Sequence, residues 1–77
     1  MAINIDKIHT TPMGKERISK NLNLTVDDPI EWCKGEIRKT NPESIKRIGK
    51  NWYVYGKDYV LTINANSNTI ITAHRIK

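Results

Sequence analysis

Residues 44–77 have the sequence SIKRIGKNWYVYGKDYVLTINANSNTIITAHRIK, and this stretch decides the fold class. It contains four short runs rich in β-branched and aromatic residues: SIKRI, NWYVY, YVLTIN and TIITAH. The runs are separated by Gly49, by residues 56–58 and by residues 65–68, all connections of hairpin length. Because no connection is long enough to hold a crossover helix, the segment predicts a four-stranded antiparallel meander.

The first half of the chain has the features of helices. Thr11–Pro12 and Asp28–Pro29 each combine a capping side chain with a proline suited to the first helical position. Apolar residues then recur at spacings of three and four, namely Ile18 and Leu22 after the first start and Ile30, Cys33 and Ile37 after the second. Residues 3–9 predict a short turn or an arm over the core.

A chain of 77 residues has enough core for one domain only. We therefore predict a single α+β domain over residues 1–77. Two N-terminal helices, within residues 1–42, pack on one face of a four-stranded antiparallel β-meander formed by residues 43–77.

The net charge is +5, of which residues 1–42 contribute +1 and residues 43–77 contribute +4. A basic surface attracts polyanions, although it can also be a solvated face without a partner. The single cysteine, Cys33, predicts core packing and no disulfide, and the lack of an apolar run of membrane-spanning length predicts a soluble protein with no membrane partner. We expect a cytoplasmic location, no metal and no cofactor.

An antiparallel sheet that packs helices on one face can offer its other face to a ligand. Alternation within the last two predicted strands places the following residues on the more polar face: Val60, Thr62, Asn64, Ile70, Thr72 and His74. It assigns Ile71 to the covered face. The sequence thus predicts an open surface that carries threonine, asparagine and histidine side chains.

Two histidines lie near opposite ends of the sequence. Two imidazoles about 5–8 Å apart across a phosphodiester suit RNA cleavage without a metal, because one accepts the proton of the 2′-hydroxyl and the other protonates the leaving oxygen. The predicted catalytic set is His9, His74, Arg17, Arg47 and Thr72, in which the arginines neutralise developing charge. Alternatively, each histidine caps a helix or lies at a strand end with no catalytic role.

Cations alternate with aromatic residues over residues 47–59, RIGKNWYVYGKDY. Bases stack on aromatic rings while cations hold the backbone, so this pattern suits single-stranded RNA or an anionic nucleotide. The predicted ligand-binding set is Lys50, Trp52, Tyr53, Tyr55, Arg75, Thr62 and Asn64. Alternatively, one set of the aromatic residues packs in the core and the other packs across strands.

The motifs IHTTPMGKERISKNL, GKNW and TIITAH together resemble a small bacterial and phage family described as a domain of unknown function. Its signatures have the form IHTT-x-x-G-x-x-RI-x-x-NL, GKNW and TIITAH, and the resemblance covers nearly the whole chain. It implies no activity.

The order of helices and strands is also distantly similar to the barnase and RelE-like ribonuclease toxins. That similarity implies catalytic roles for His9, Arg17, Arg47, Thr72 and His74. Such toxins often carry a carboxylate base, whereas the pattern here assigns Glu16, Glu31 and Glu36 to helix surfaces.

Two functions are therefore expected from different classes of protein. The first is a small metal-independent ribonuclease of toxin type. The alternative is a binding protein that captures a nucleotide signal or nucleic acid of a defence system on its basic and aromatic surface, with a homodimer, an antitoxin or a host defence protein as a possible partner. A third function, inhibition through protein–protein contact, requires an exposed apolar patch.

Overall fold

The computed structural model describes residues 3–76. A 3-10 turn at Ile5–Lys7 precedes helices α1 (Pro12–Leu22) and α2 (Pro29–Lys39), and a second 3-10 turn follows at Pro42–Ser44. Four strands complete the chain: β1 (Ile45–Ile48), β2 (Asn51–Tyr55), β3 (Tyr59–Asn64) and β4 (Ile70–Arg75). They form one sheet in the order β1-β2-β3-β4 with antiparallel neighbours, which confirms the predicted α+β fold.

Both helices begin where the capping residues predict. Thr11 Oγ1 accepts a hydrogen bond of 2.9 Å from the backbone N–H of Gly14. Asp28 Oδ1 accepts bonds of 3.1 and 3.2 Å from the N–H groups of Ile30 and Glu31. Each cap satisfies donors that have no partner inside the first helical turn, so these local sequences fix both helix starts.

The core lies between the helices and one face of the sheet. Its helical side chains are Ile18, Leu22, Cys33 and Ile37, and its strand side chains are Ile45, Trp52, Val54, Tyr59, Leu61, Ile63, Ile70 and Ala73. Cys33 is fully buried, and burial, with a smaller contribution from the charge of Glu36, raises the pKa of its thiol to about 12. The predicted role of Cys33 in core packing is confirmed.

The two edges of the sheet differ. Along β4, the backbone of His9 exchanges hydrogen bonds with Asn68 and Ile70, Thr10 Oγ1 donates to the Ile70 carbonyl, and Asn21 donates to the Ala73 carbonyl. This edge is therefore covered by the segment before α1 and by α1 itself. The other edge strand, β1, pairs only with β2 within the described part of the chain.

A register shift in the β3–β4 pairing corrects the predicted faces of β4. Thr62 pairs with Thr72, but the next residue of β3, Ile63, pairs with Ile70, so Ile71 is the extra residue of a bulge. Ile70 is consequently buried in the core at 2% exposure, whereas Ile71 is 43% exposed. The predicted assignment of Ile70 to the polar face and of Ile71 to the covered face was wrong, because strict alternation holds only in a strand without a bulge.

No helix between Ile3 and Ile76 has the length and apolar character needed to cross a membrane.

Candidate functional site

The helix-free face of the sheet carries polar and aromatic side chains in rows across the strands. The register aligns Lys46, Tyr53, Thr62 and Thr72 in one row through all four strands. A second row consists of Tyr55, Val60 and His74, and a third of Ile48, Asn51 and Asn64. These ten residues are called the open face below.

The open face contains no carboxylate among its ten residues. Its accessible side chains come mainly from β1, β2 and β4, since Lys46, Tyr55 and His74 are exposed while Tyr53 and Thr72 are half-buried. In β3, Val60 and Thr62 are only 5% and 8% exposed, because each is a short side chain beside a larger tyrosine of β2, Tyr55 and Tyr53 respectively. A ligand on this face would therefore meet the aromatic, cationic and imidazole groups first.

The two histidines of the predicted catalytic set have different neighbours. His9 lies beside Thr69, where its Nε2 is 3.0 Å from Thr69 Oγ1 and its Nδ1 is 2.9 Å from the Lys7 carbonyl oxygen. His74 lies five residues further along β4, which corresponds to about 15 Å at the rise of an extended strand. This distance along the backbone exceeds the 5–8 Å that a shared phosphodiester requires. The hydrogen bonds of His9 join the N-terminal segment to residues 68–70, where β4 begins.

The cations of the predicted catalytic set also lie apart. Arg17 is on α1, beside a hollow of about 350 Å³ that Thr69 and Ile71 also line. Arg47 is on the opposite edge strand, where its Nε donates to the Gly49 carbonyl at 3.0 Å and its guanidinium carbon lies 5.4 Å from the Trp52 ring centroid. Of the five predicted catalytic residues, only Thr72 and His74 are brought together on the open face.

The predicted ligand-binding set divides between the two faces. Tyr53, Tyr55, Thr62 and Asn64 are on the open face, and Lys50 is exposed in the β1–β2 turn at one end of it. The amide oxygen of Asn64 is already used within the fold, because Oδ1 accepts hydrogen bonds from the N–H groups of Asn66 and Ser67 in the β3–β4 turn.

The other two members of that set are on the covered side of the sheet. Trp52 is buried in the core at 9% exposure, so its assignment to the same surface as Tyr53 and Tyr55 is corrected. Arg75 pairs with Tyr59 in the register, and its Nη1 donates to Asp58 Oδ2 at 2.7 Å while its Nη2 donates to the Leu22 carbonyl at 2.6 Å. Arg75 therefore joins the end of β4 to α1 and to the β2–β3 connection.

Lys46 was absent from the predicted site although it belongs to the same row as Tyr53. The signal was present in the alternation of SIKRI, in which the buried Ile45 requires Lys46 to point away from the helices.

A second polar group was missed because Glu36 was assigned to a helix surface. The Tyr59 hydroxyl donates to Glu36 Oε1 at 2.8 Å, and Lys39 Nζ lies 2.9 Å from Oε2. Burial raises the pKa of Glu36, but the hydrogen bonds from Lys39 and Tyr59 and the Lys39 charge lower it to a net value below the ordinary one. Burial is the largest cause of a raised pKa at Tyr59, and the hydrogen bond to Glu36 and the charge of Glu36 raise it further.

Within residues 3–76, no group of three or more histidine, cysteine, aspartate or glutamate side chains is placed to hold a metal ion.

The model of a protein family described as Protein of unknown function (DUF3781) matches residues 2–74. Because the match spans nearly all of the 77 residues, the chain belongs to this family. The comparisons with curated proteins and with solved structures returned no match.

Proposed function

We propose that the protein binds single-stranded RNA on the open face without cleaving it. The observation that carries this proposal is the composition of the open face, where two tyrosines two residues apart lie among lysine, histidine, threonine and asparagine side chains with no carboxylate. This combination belongs to binding surfaces on which bases stack and phosphates meet only cations or neutral groups.

Tyr53 and Tyr55 supply the stacking surfaces. Residues at positions i and i+2 of one strand point to the same side about 6.6 Å apart, so two splayed neighbouring bases can each contact one ring. Both side chains are partly accessible. Such stacking tolerates every base, so it gives affinity with little dependence on sequence.

Polar and cationic groups surround the two rings. Lys46 lies beside Tyr53, and His74 lies across β3 from Tyr55. Thr72 and Asn51 add hydrogen-bonding groups that can meet base edges or 2′-hydroxyls. The net charge of +4 on residues 43–77 favours the encounter with a polyanion, and Lys50 extends the cationic surface beyond the end of β2.

The separation of His9 from His74 favours binding over cleavage by a histidine pair. A proton acceptor and a proton donor must reach opposite sides of one phosphorus centre. Here one imidazole is hydrogen-bonded to Thr69 at the start of β4, and the other is on the open face near the strand's end.

The binding test is a titration of a fluorescently labelled oligouridine about eight nucleotides long, followed by anisotropy. We expect saturable, salt-sensitive binding, and we expect Tyr53→Ala and Tyr55→Ala each to weaken it about fivefold or more, because a stacked base contributes about 1–3 kcal/mol. The matched control is Met13→Ala, which removes an exposed side chain from α1 and should leave the affinity unchanged. No saturable binding, or equal affinities for all these variants, would overturn the proposal.

The same mixtures test for cleavage when the RNA is analysed on a denaturing gel. We expect intact RNA. Cleavage that disappears in both His9→Ala and His74→Ala would instead support the ribonuclease and refute a purely binding function.

A further inference from the structure

A hollow of about 330 Å³ lies at the end of the sheet where β2 and β3 are connected. It is bounded by the C-terminal end of α2, by the second 3-10 turn and by the β2–β3 connection. Its polar lining includes Glu36, Lys39, Asn41, Ser44, Tyr55 and Lys57. Tyr55 also belongs to the open face, so the open face and the hollow adjoin at this residue.

The charge at the hollow is positive. Glu36 is among the lining residues, but its carboxylate accepts a hydrogen bond from the Tyr59 hydroxyl and is neutralised by Lys39. Lys57 makes no ion pair with any residue between Ile3 and Ile76. The acid next to it, Asp58, is paired with Arg75, which leaves Lys57 as the surplus cation.

The uncharged lining adds hydrogen-bond donors. Asn41 uses its Oδ1 to accept the N–H of Glu43, so its amide NH₂ group remains available to donate. Ser44 and Tyr55 also line this space, and each carries a hydroxyl group. Phosphate oxygens accept hydrogen bonds and carry negative charge, so an ammonium group, an amide NH₂ and two hydroxyls form a suitable set of partners.

We propose that this hollow binds a terminal phosphate of the RNA strand that lies on the open face, an inference that rests on the proposed RNA binding. A phosphate monoester at a strand end carries about −1.5 to −2 charges near pH 7, whereas each internal phosphodiester carries one. The monoester is therefore attracted more strongly to the Lys57 ammonium group than an internal phosphodiester is. The hollow also adjoins Tyr55, the second of the two proposed stacking tyrosines. This position suits a group at the end of an RNA strand.

The test uses three unlabelled oligouridines of equal length as competitors against one labelled strand. One carries a 5′-phosphate, one a 3′-phosphate, and one has hydroxyl groups at both ends. We expect one of the phosphorylated strands to compete about fivefold better than the hydroxyl-ended strand, the size expected of one partly exposed charge-assisted hydrogen bond. Which of the two does so identifies the end that enters the hollow.

Lys57→Ala should lower the affinity for the preferred strand to that of the hydroxyl-ended strand. Lys20→Ala, which removes an equal charge from α1, should retain the preference. Equal affinities of the three strands for the unaltered protein, or a preference that survives in Lys57→Ala, would overturn the inference while leaving RNA binding in place. If the labelled strand does not bind and none of the three competitors has an effect, the proposed function is overturned as well.

Discussion

The two faces of the sheet are built from the same strands but have opposite compositions. The covered face contributes Val54, Leu61, Ile63 and Ala73, each with no exposed surface, to a core shared with both helices. The open face carries lysine, tyrosine, threonine, asparagine and histidine at the alternate positions. Because neighbouring side chains of a strand point to opposite sides, one run of residues can stabilise the domain and present a binding surface at once.

The difference in burial between the two faces is small in β3. In β3 both sides are shielded, since Val60 and Thr62 on the open face are nearly as buried as the core residues between them. The short side chains of β3 lie beside the larger tyrosines of β2, whereas Lys46, Tyr55 and His74 on the other strands reach solvent. The open face is therefore expected to bind through side chains of β1, β2 and β4 and to contribute to stability through β3.

The largest expected effect comes from truncating the covered face. Leu61→Ala should lower the free energy of unfolding by about 2–5 kcal/mol, because it leaves a cavity in a fully buried position. Ile71→Ala, at a half-exposed position in the β4 bulge, should cost less than about 1 kcal/mol. Urea denaturation measures both, and equal losses for the two variants would contradict the assignment of the faces.

A pair of glycines gives effects of opposite sign. An added Cβ at Gly56 would overlap the Tyr59 ring, so Gly56→Ala should destabilise the domain by about 1–3 kcal/mol. A Cβ at Gly35 in α2 meets no atom of residues 3–76 within 4 Å, so Gly35→Ala should stabilise the domain by about 0.5–1 kcal/mol through helix propensity. Thermal denaturation of the two variants and of the unaltered protein measures both changes in stability. Stabilisation by Gly56→Ala would show that Tyr59 does not pack under the β2–β3 connection.

The hydrogen bond between Tyr59 and Glu36 predicts a pH dependence on the covered side. The pKa of Glu36 is below its ordinary value near 4.5, so the associated stability is present above that pH and is lost as the pH falls through the lowered pKa. Tyr59→Phe should therefore cost about 1 kcal/mol at neutral pH and less at pH values well below 4.5. The raised pKa of Tyr59 implies a second loss above its ordinary value of 10, as the hydroxyl ionises.

The matched control for this experiment is on the open face. Tyr53→Phe removes a half-exposed hydroxyl whose partner, Asn51 Nδ2, lies at 3.4 Å. Urea denaturation at neutral and acidic pH should show a smaller cost than for Tyr59→Phe and no change with pH. A pH-independent difference between the unaltered protein and Tyr59→Phe would refute the coupling to Glu36.

The smallest change in stability is expected at the cationic rim of the open face. Lys46→Ala should alter the free energy of unfolding by no more than about 0.5 kcal/mol. It should also reduce the slope of log affinity against log salt for single-stranded RNA by about 0.7, the effect of losing one phosphate contact. Lys15→Ala on α1 should leave that slope unchanged, and equal slopes for all three proteins would show that Lys46 does not meet the RNA.

Much of the architecture was predictable because its signals are local. The caps at Thr11 and Asp28 fixed the helix starts, and the hairpin-length connections left only an antiparallel meander as the arrangement of the strands. The site was less predictable. His9 and His74 are near opposite ends of the chain, and whether they meet depends on how the N-terminal segment pairs with β4, which composition and periodicity do not encode.

Some errors arose from single positions. Periodicity alone assigned Ile70 and Ile71 to the wrong sides, because a bulge inserts one residue and reverses the alternation beyond it. Glu36 was missed because its partner Tyr59 lies 23 residues away. In contrast, Tyr53 and Tyr55 lie two residues apart in one strand without a bulge. Alternation alone is therefore sufficient to place both side chains on one face.

By itself, the sequence determined the helix starts, the four short strands, their antiparallel order and the basic character of the second half, since each depends on nearby residues or on total charge. The tertiary structure decided which side of the sheet the helices cover, where the bulge occurs, that His9 binds Thr69 rather than facing His74, and that a polar hollow adjoins Tyr55. These features depend on contacts between segments far apart in the chain, and such contacts form only when the hydrophobic face of each element finds its partner.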